Sequence, residues 1–179
     1  MRSRRVCVPL LVSLAALCAP AWAAMPLPQV WTGRVVVPEG VEPGLTADQL
    51  ELRVSSLSTD EEILGLLEQL RLGGQQGLWN AMRSSQPKGF IRAGKLAATE
   101  VTAIRVFDLP NGNRMVRVYC DFPIRLYDKS EPVDARAHPF AFLELEVGPS
   151  GRDGTGKLIA AASFTLGEAE LRIDNASTP

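Results

Sequence analysis

From Leu50 onward, several segments of this chain carry apolar residues at every second position, broken by one interruption, and that pattern points to a protein built mainly of sheet. Leu50-Glu51-Leu52-Arg53-Val54 alternates strictly. Val116, Val118 and Cys120 would share one face of a strand, with Arg117, Tyr119 and Asp121 on the other. An extended backbone points successive side chains to opposite sides, so a period of two means one inward and one outward face. Trp31, Val35, Val36 and Val37 predict a first strand over Val30 to Val37, ended by Pro38-Glu39-Gly40 and Pro43-Gly44. Further strands are expected over Val101 to Phe107, Met115 to Cys120, Phe140 to Val147, Leu158 to Leu166 and Ala169 to Ile173. Leu109-Pro110-Asn111-Gly112-Asn113 joins two of them, and Asn-Gly is a strong short hairpin signal. Gly167-Glu168 is the expected turn before the last strand.

The interruption begins at Ser58. Thr59-Asp60-Glu61-Glu62 has the form of a capping box, Thr59 as N-cap and Glu62 three residues on, with acids suited to the positive end of a helix dipole. Ile63, Leu66, Leu67 and Leu70 then follow at three- and four-residue spacing, giving one apolar helical face. Gly73-Gly74 reads as a stop. A second, shorter helix is expected over Gln76 to Arg83 with Leu78, Trp79 and Met82 inward. The expected fold is therefore α+β: a mainly antiparallel β-sheet with a helical hairpin inserted between early strands.

The N-terminus bears on compartment. Arg2, Arg4 and Arg5 precede an apolar run from Val6 to Ala19, which leads to Ala21-Trp22-Ala23. That is the pattern of a signal peptide over residues 1–23, and it is short for a membrane anchor. Ser3-Arg4-Arg5 resembles the start of a twin-arginine signal, although Cys7 and Val8 replace the usual following residues. Leu17 is too large for a lipobox before Cys18. Export to the periplasm or the medium is expected, by the general or the twin-arginine route, with no transmembrane segment after signal removal. Residues 24–179 then form a single α+β domain of 156 residues. Without the three arginines, 16 basic residues face 20 acidic ones, a net charge of −4 that argues against nucleic-acid binding. Cys120 would be left alone, so no internal disulfide can staple the domain and its core must hold it.

Four features could carry chemistry. Gly151-Arg152-Asp153-Gly154-Thr155-Gly156-Lys157 has the glycine and lysine spacing of a phosphate loop. Such a loop needs a helix after it and a magnesium-binding hydroxyl next to the lysine. Here Leu158 takes that place and a strand follows, so the stretch is read as a turn between strands and no nucleotide is expected. Asp153 is its only carboxylate, too few for calcium. His138, the sole histidine, has no neighbouring cysteine or second histidine for a metal. The pairs Glu61/Glu62 and Glu144/Glu146 read as a cap and a solvated sheet face. Trp31 and Trp79 read as core aromatics. No catalytic, cofactor-binding or metal site is assigned, and no cofactor is expected.

The order of features from Leu50 onward resembles an uncharacterised family of secreted bacterial domains. The matching residues are LELRV, STDEE, GGQQGLW, Lys88 to Arg92, LPNGNR, Phe122-Pro123-Ile124, HPFAFLELEV and the glycine turn running into GKL. The resemblance implies a fold pattern for most of the mature chain and no catalytic residue. The function expected is a non-enzymatic binding or envelope-associated module that takes an unknown protein or a small apolar ligand. The alternative is a periplasmic hydrolase using His138 with a serine such as Ser163.

Overall fold

The computed structural model describes residues 27–35, 49–126, 136–151, 153–167 and 171–175. The expected signal peptide, the Pro38 and Pro43 breaks and Glu168 lie outside them. Among these residues, nine strands form two antiparallel sheets. Sheet A runs in chain order: β1 (Gln29–Arg34), β2 (Gln49–Val54), β3 (Gly89–Ala93) and β4 (Thr99–Val101). Sheet B follows with β5 (Ala103–Asp108), β6 (Arg114–Cys120), β7 (Phe140–Val147), β8 (Gly154–Leu166) and β9 (Leu171–Asn175). Only Thr102 separates β4 from β5, and its N–H donates to Tyr119 O. The chain thus passes from one sheet into the other without a loop.

The period-two faces decide how the layers stack. Leu52, Val54 and Ile91 of sheet A pack with Val116, Val118, Cys120 and Leu143 of sheet B. The alternate residues of sheet B, among them Phe140, Phe142, Ile159 and Phe164, form a second core on its opposite face. Leu70, Leu78 and Met82 of the helical segment α1 (Asp60–Arg83) close that second core. Sheet B is therefore the middle layer, between sheet A and the helix. A β-bulge between Phe140 and Phe142 shifts the register of β7 against β8.

α1 is inserted between β2 and β3, which are neighbours in sheet A, yet it covers the far face of sheet B. Ser58 shows how the chain crosses. Its N–H donates to Ile104 O at 3.0 Å, and its Oγ accepts from Ile104 N–H at 3.0 Å. β5 is the edge strand of sheet B, and Ser58 occupies backbone groups that an edge otherwise leaves open to foreign strands.

The helical hairpin is not what forms. α1 is one helical element with a break at Gly74, whose φ of 58° and ψ of −154° are non-helical. Glycine enters that region without the Cβ clash that other residues meet. The glycine pair thus bends the segment at the expected place instead of separating two helices. A Cβ on Gly77 would lie 2.6 Å from Gln69 O, so the two halves approach closely at the bend.

The capping box is present in both directions: Glu62 N–H donates to Thr59 Oγ1 at 3.2 Å, and Thr59 N–H to Glu62 Oε2 at 2.8 Å. Glu62 Oε1 also accepts from Lys88 Nζ at 2.6 Å. These bonds, that from Lys88 first, hold the Glu62 carboxyl below its usual range. Thr59→Ala should lower stability by about 1 kcal/mol, the common loss for one cap. Urea denaturation would check this; no change would mean that the box does not hold the helix start in solution.

Candidate functional site

An apolar groove of about 240 Å³ lies between α1 and the helix-side face of sheet B. Its roof is the three- and four-residue stripe of α1: Ile63, Leu66, Leu67 and Leu70. Leu70 is buried, whereas Ile63, Leu66 and Leu67 are half-buried. The stripe faces the sheet without closing on it. The floor alternates along β5 and β6, with Ala103, Phe107 and Tyr119 pointing into the groove and Phe164 of β8 behind them. Tyr119 packs on Phe142 at 5.2 Å and edge-on to Phe164 at 5.9 Å. Burial raises the Tyr119 phenol above its usual range, so it stays neutral.

One end of this lining is charged. Arg105 of β5 lines the groove and pairs with Asp60 in the first turn of α1. Directly across the ladder stands Arg117, the Cα partner of Arg105 on β6. Two like charges at one cross-strand position are unfavourable unless something offsets them. Each guanidinium sits over the Phe107 ring, at 5.6 Å for Arg105 and 5.3 Å for Arg117, a favourable cation–aromatic contact. Arg117 Nε also donates to Glu144 Oε2 at 2.7 Å. Arg105 and Phe107 were not singled out from the sequence. Their alternation with Ala103 in the strand read over Val101 to Phe107 is the only signal they leave, since the helix above them cannot be inferred from it.

The residues weighed from sequence are dispersed. Gly154-Thr155-Gly156-Lys157 are the first four residues of β8, paired with Val147 to Glu144, so the expected turn is shorter than the motif. The reversal itself spans Gly148 to Asp153: Gly148 N–H donates to Asp153 O, and Gly151 turns at φ 71°. No helix N-terminus follows. Gly156 is glycine because β7 runs against it, and a Cβ there would collide with Glu144 O. Trp31 Nε1 donates to Gly151 O at 3.0 Å, tying the first strand to this turn.

Glu144 and Glu146 share the helix-side face of β7, but each has a structural partner. Glu144 takes Arg117, while Glu146 Oε1 accepts from Asn111 and Asn113 of the hairpin at 2.9 and 2.7 Å. Those two bonds keep the Glu146 carboxyl below its usual range. Ser163 is a buried strand residue opposite Asp174. His138 lies just before β7, and its buried Nδ1 has no hydrogen-bond partner. No bond joins it to Ser163. Trp79 packs against the second core, donates from Nε1 to Asp121 O at 3.1 Å and lies under Arg83.

Among the described residues, no group of three or more His, Cys, Asp and Glu comes together as a metal site. None of their helices is long and apolar enough to cross a membrane. A second hollow, about 370 Å³, lies along β1 and β2 and is lined by residues such as Thr32, Gln49, Glu51 and Arg92. It is the larger of the two, but Glu51 and Arg92, neighbours on β2 and β3, already bond each other in its lining at 2.6 Å, and that lining is as polar as it is apolar. The smaller groove has the apolar lining with few polar groups that ligand sites share. No protein-family profile, curated protein or solved structure matches this chain.

Proposed function

We propose that this protein is an exported, non-enzymatic module that binds a small apolar ligand between α1 and sheet B, and that it belongs with the secreted bacterial domains its motifs resemble. The observation that carries the reading is the roof of the groove. Ile63, Leu66 and Leu67 repeat at helical spacing over aromatic residues, yet remain only half-buried. A helix whose sole task is to seal a core would bury them, because each fully buried leucine or isoleucine contributes about 1.5–3 kcal/mol. Leaving them part-open costs stability that a ligand would restore. The groove is smaller than the roughly 300–1,000 Å³ of sites for drug-sized molecules, so the ligand is small.

The alternative, a hydrolase using His138 with a serine, has the unpartnered Nδ1 in its favour. It has no placed nucleophile, since Ser163 is buried in β8.

The test is titration of the purified protein with a fluorescent apolar probe. Leu67→Gln should weaken binding by at least about tenfold, roughly the cost of one unpaired amide in an apolar site. Its thermal midpoint should stay near that of the wild type, because Leu67 is only half-buried. Absence of probe binding by the wild type would sink the proposal, as would equal binding by the variant.

A further inference from the structure

The groove carries more than apolar surface, and its charged end says what kind of ligand suits it. Resting on the binding reading above, we infer that the ligand is a free short-chain monocarboxylate, its alkyl chain beneath Leu66 and Leu67 and its carboxylate on the Arg105 guanidinium.

Arg105 combines three properties. Its side chain is 27% exposed, so most of it belongs to the groove wall. Its only hydrogen bond among the described residues runs from Nη1 to Asp60 Oδ1. A guanidinium offers five N–H donors in a planar fork that fits a carboxylate with two parallel bonds, so most of the fork is unspent. Asp60, by contrast, is 82% exposed. Ion pairs with so exposed a partner contribute little, and the carboxylate that now occupies Arg105 is readily exchanged for another.

The surroundings favour an anion over a neutral head. Arg117 stands directly opposite Arg105, so two positive charges flank Phe107 at this end. Glu144 is engaged by Arg117 and offsets one of them. A ligand carboxylate would take the place that Asp60 holds from the helix side. The apolar part of the groove begins at Phe107 and runs to Leu70 and Phe164, with Tyr119 kept neutral by burial. The volume of about 240 Å³ suits a short chain and not a long one. A free acid is the fitting source, because a membrane lipid would bring two long chains.

Octanoate and 1-octanol share a chain and differ in the head, so the pair isolates the inference. Calorimetric titration of the purified protein should show octanoate binding at least about tenfold tighter than octanol, the size expected of one charge-assisted bond. Arg105→Gln should abolish that preference, bringing the affinities for octanoate and octanol to about the same value. Asp60→Asn removes the competing carboxylate and should tighten octanoate, which guards against a trivial folding defect because the expected change is a gain. Phosphatidylglycerol vesicles should not displace octanoate. Equal binding of acid and alcohol, or an Asp60→Asn variant that binds octanoate no better, would overturn the carboxylate assignment and leave the apolar groove standing. Displacement by vesicles would reassign the source to lipid and overturn the free acid. Failure of both ligands to bind would overturn the groove itself.

Discussion

Phe164→Ala is expected to destabilise the protein by about 3–5 kcal/mol, the range for emptying a buried phenylalanine site. Phe164 is 1% exposed and stacks on Phe140 with ring centroids 4.8 Å apart. It meets Tyr119 on one side and α1 on the other, so its loss leaves a cavity where three elements join. The layers around it are tied by strand pairing and cannot collapse freely into the space, which puts the cost in the upper part of that range. Leu64→Ala is the control. Leu64 is 65% exposed on the same helix and should change stability by no more than about 0.5 kcal/mol, as surface positions do. Urea denaturation of the two variants measures the contrast directly. If Phe164→Ala cost as little as Leu64→Ala, α1 would not lie on sheet B.

The second large effect is kinetic. In protein lacking residues 1–23, Cys120 should react with a thiol reagent at least about a thousandfold more slowly in the native state than when unfolded, since native domains open only rarely. Cys120 is 1% exposed between the two sheets. Burial, with a smaller contribution from the Asp121 charge, pushes its thiol far above the usual range, and the thiolate is the reacting form. The same shift sets a pH dependence. Because the folded-state value is raised, the contribution is fully present below the ordinary thiol range, about 8.5, and is lost progressively as the pH rises above it toward the raised folded-state value. Alkali therefore favours the unfolded chain, as ionised Cys120 exists only there. Fast labelling in native buffer would show that the sheets part at Cys120.

The parts of this fold that could be read from the residues are those decided by neighbours in sequence. Thr59 and Glu62 are three apart, and their reciprocal bonds need nothing else. The Asn111-Gly112 hairpin and the alternation over Val116 to Cys120 are local in the same way. β8 begins four residues earlier than its apolar pattern because Gly154-Thr155-Gly156-Lys157 carries no apolar residue; pairing with β7 makes it strand. β3 and β4 are short; β3 depends on β2 for its pairing, and β4 on β3. The side on which α1 lies could not be read, because Leu70 and Met82 would fit any apolar face. That choice depends on Thr102 handing the chain to a second sheet and on Ser58 crossing its edge. The groove inherits this. Its leucines announce themselves as a helical stripe, whereas Arg105 becomes a groove residue only once the helix arrives.

The bond from Trp31 to Gly151 spans 120 residues of chain. Contacts so distant along the sequence make folding slow, because the entropy of closing the intervening loop is lost before any contact repays it. A chain threaded outward from its N-terminus delivers β1 long before the turn that receives its indole. Until β5, β6 and β7 have emerged, sheet A has no second sheet to cover Leu52, Val54 and Ile91. Under the export proposed above, the chain would arrive on the far side of the membrane with an apolar sheet face open until those strands follow, and chaperones there are where its folding yield would be decided.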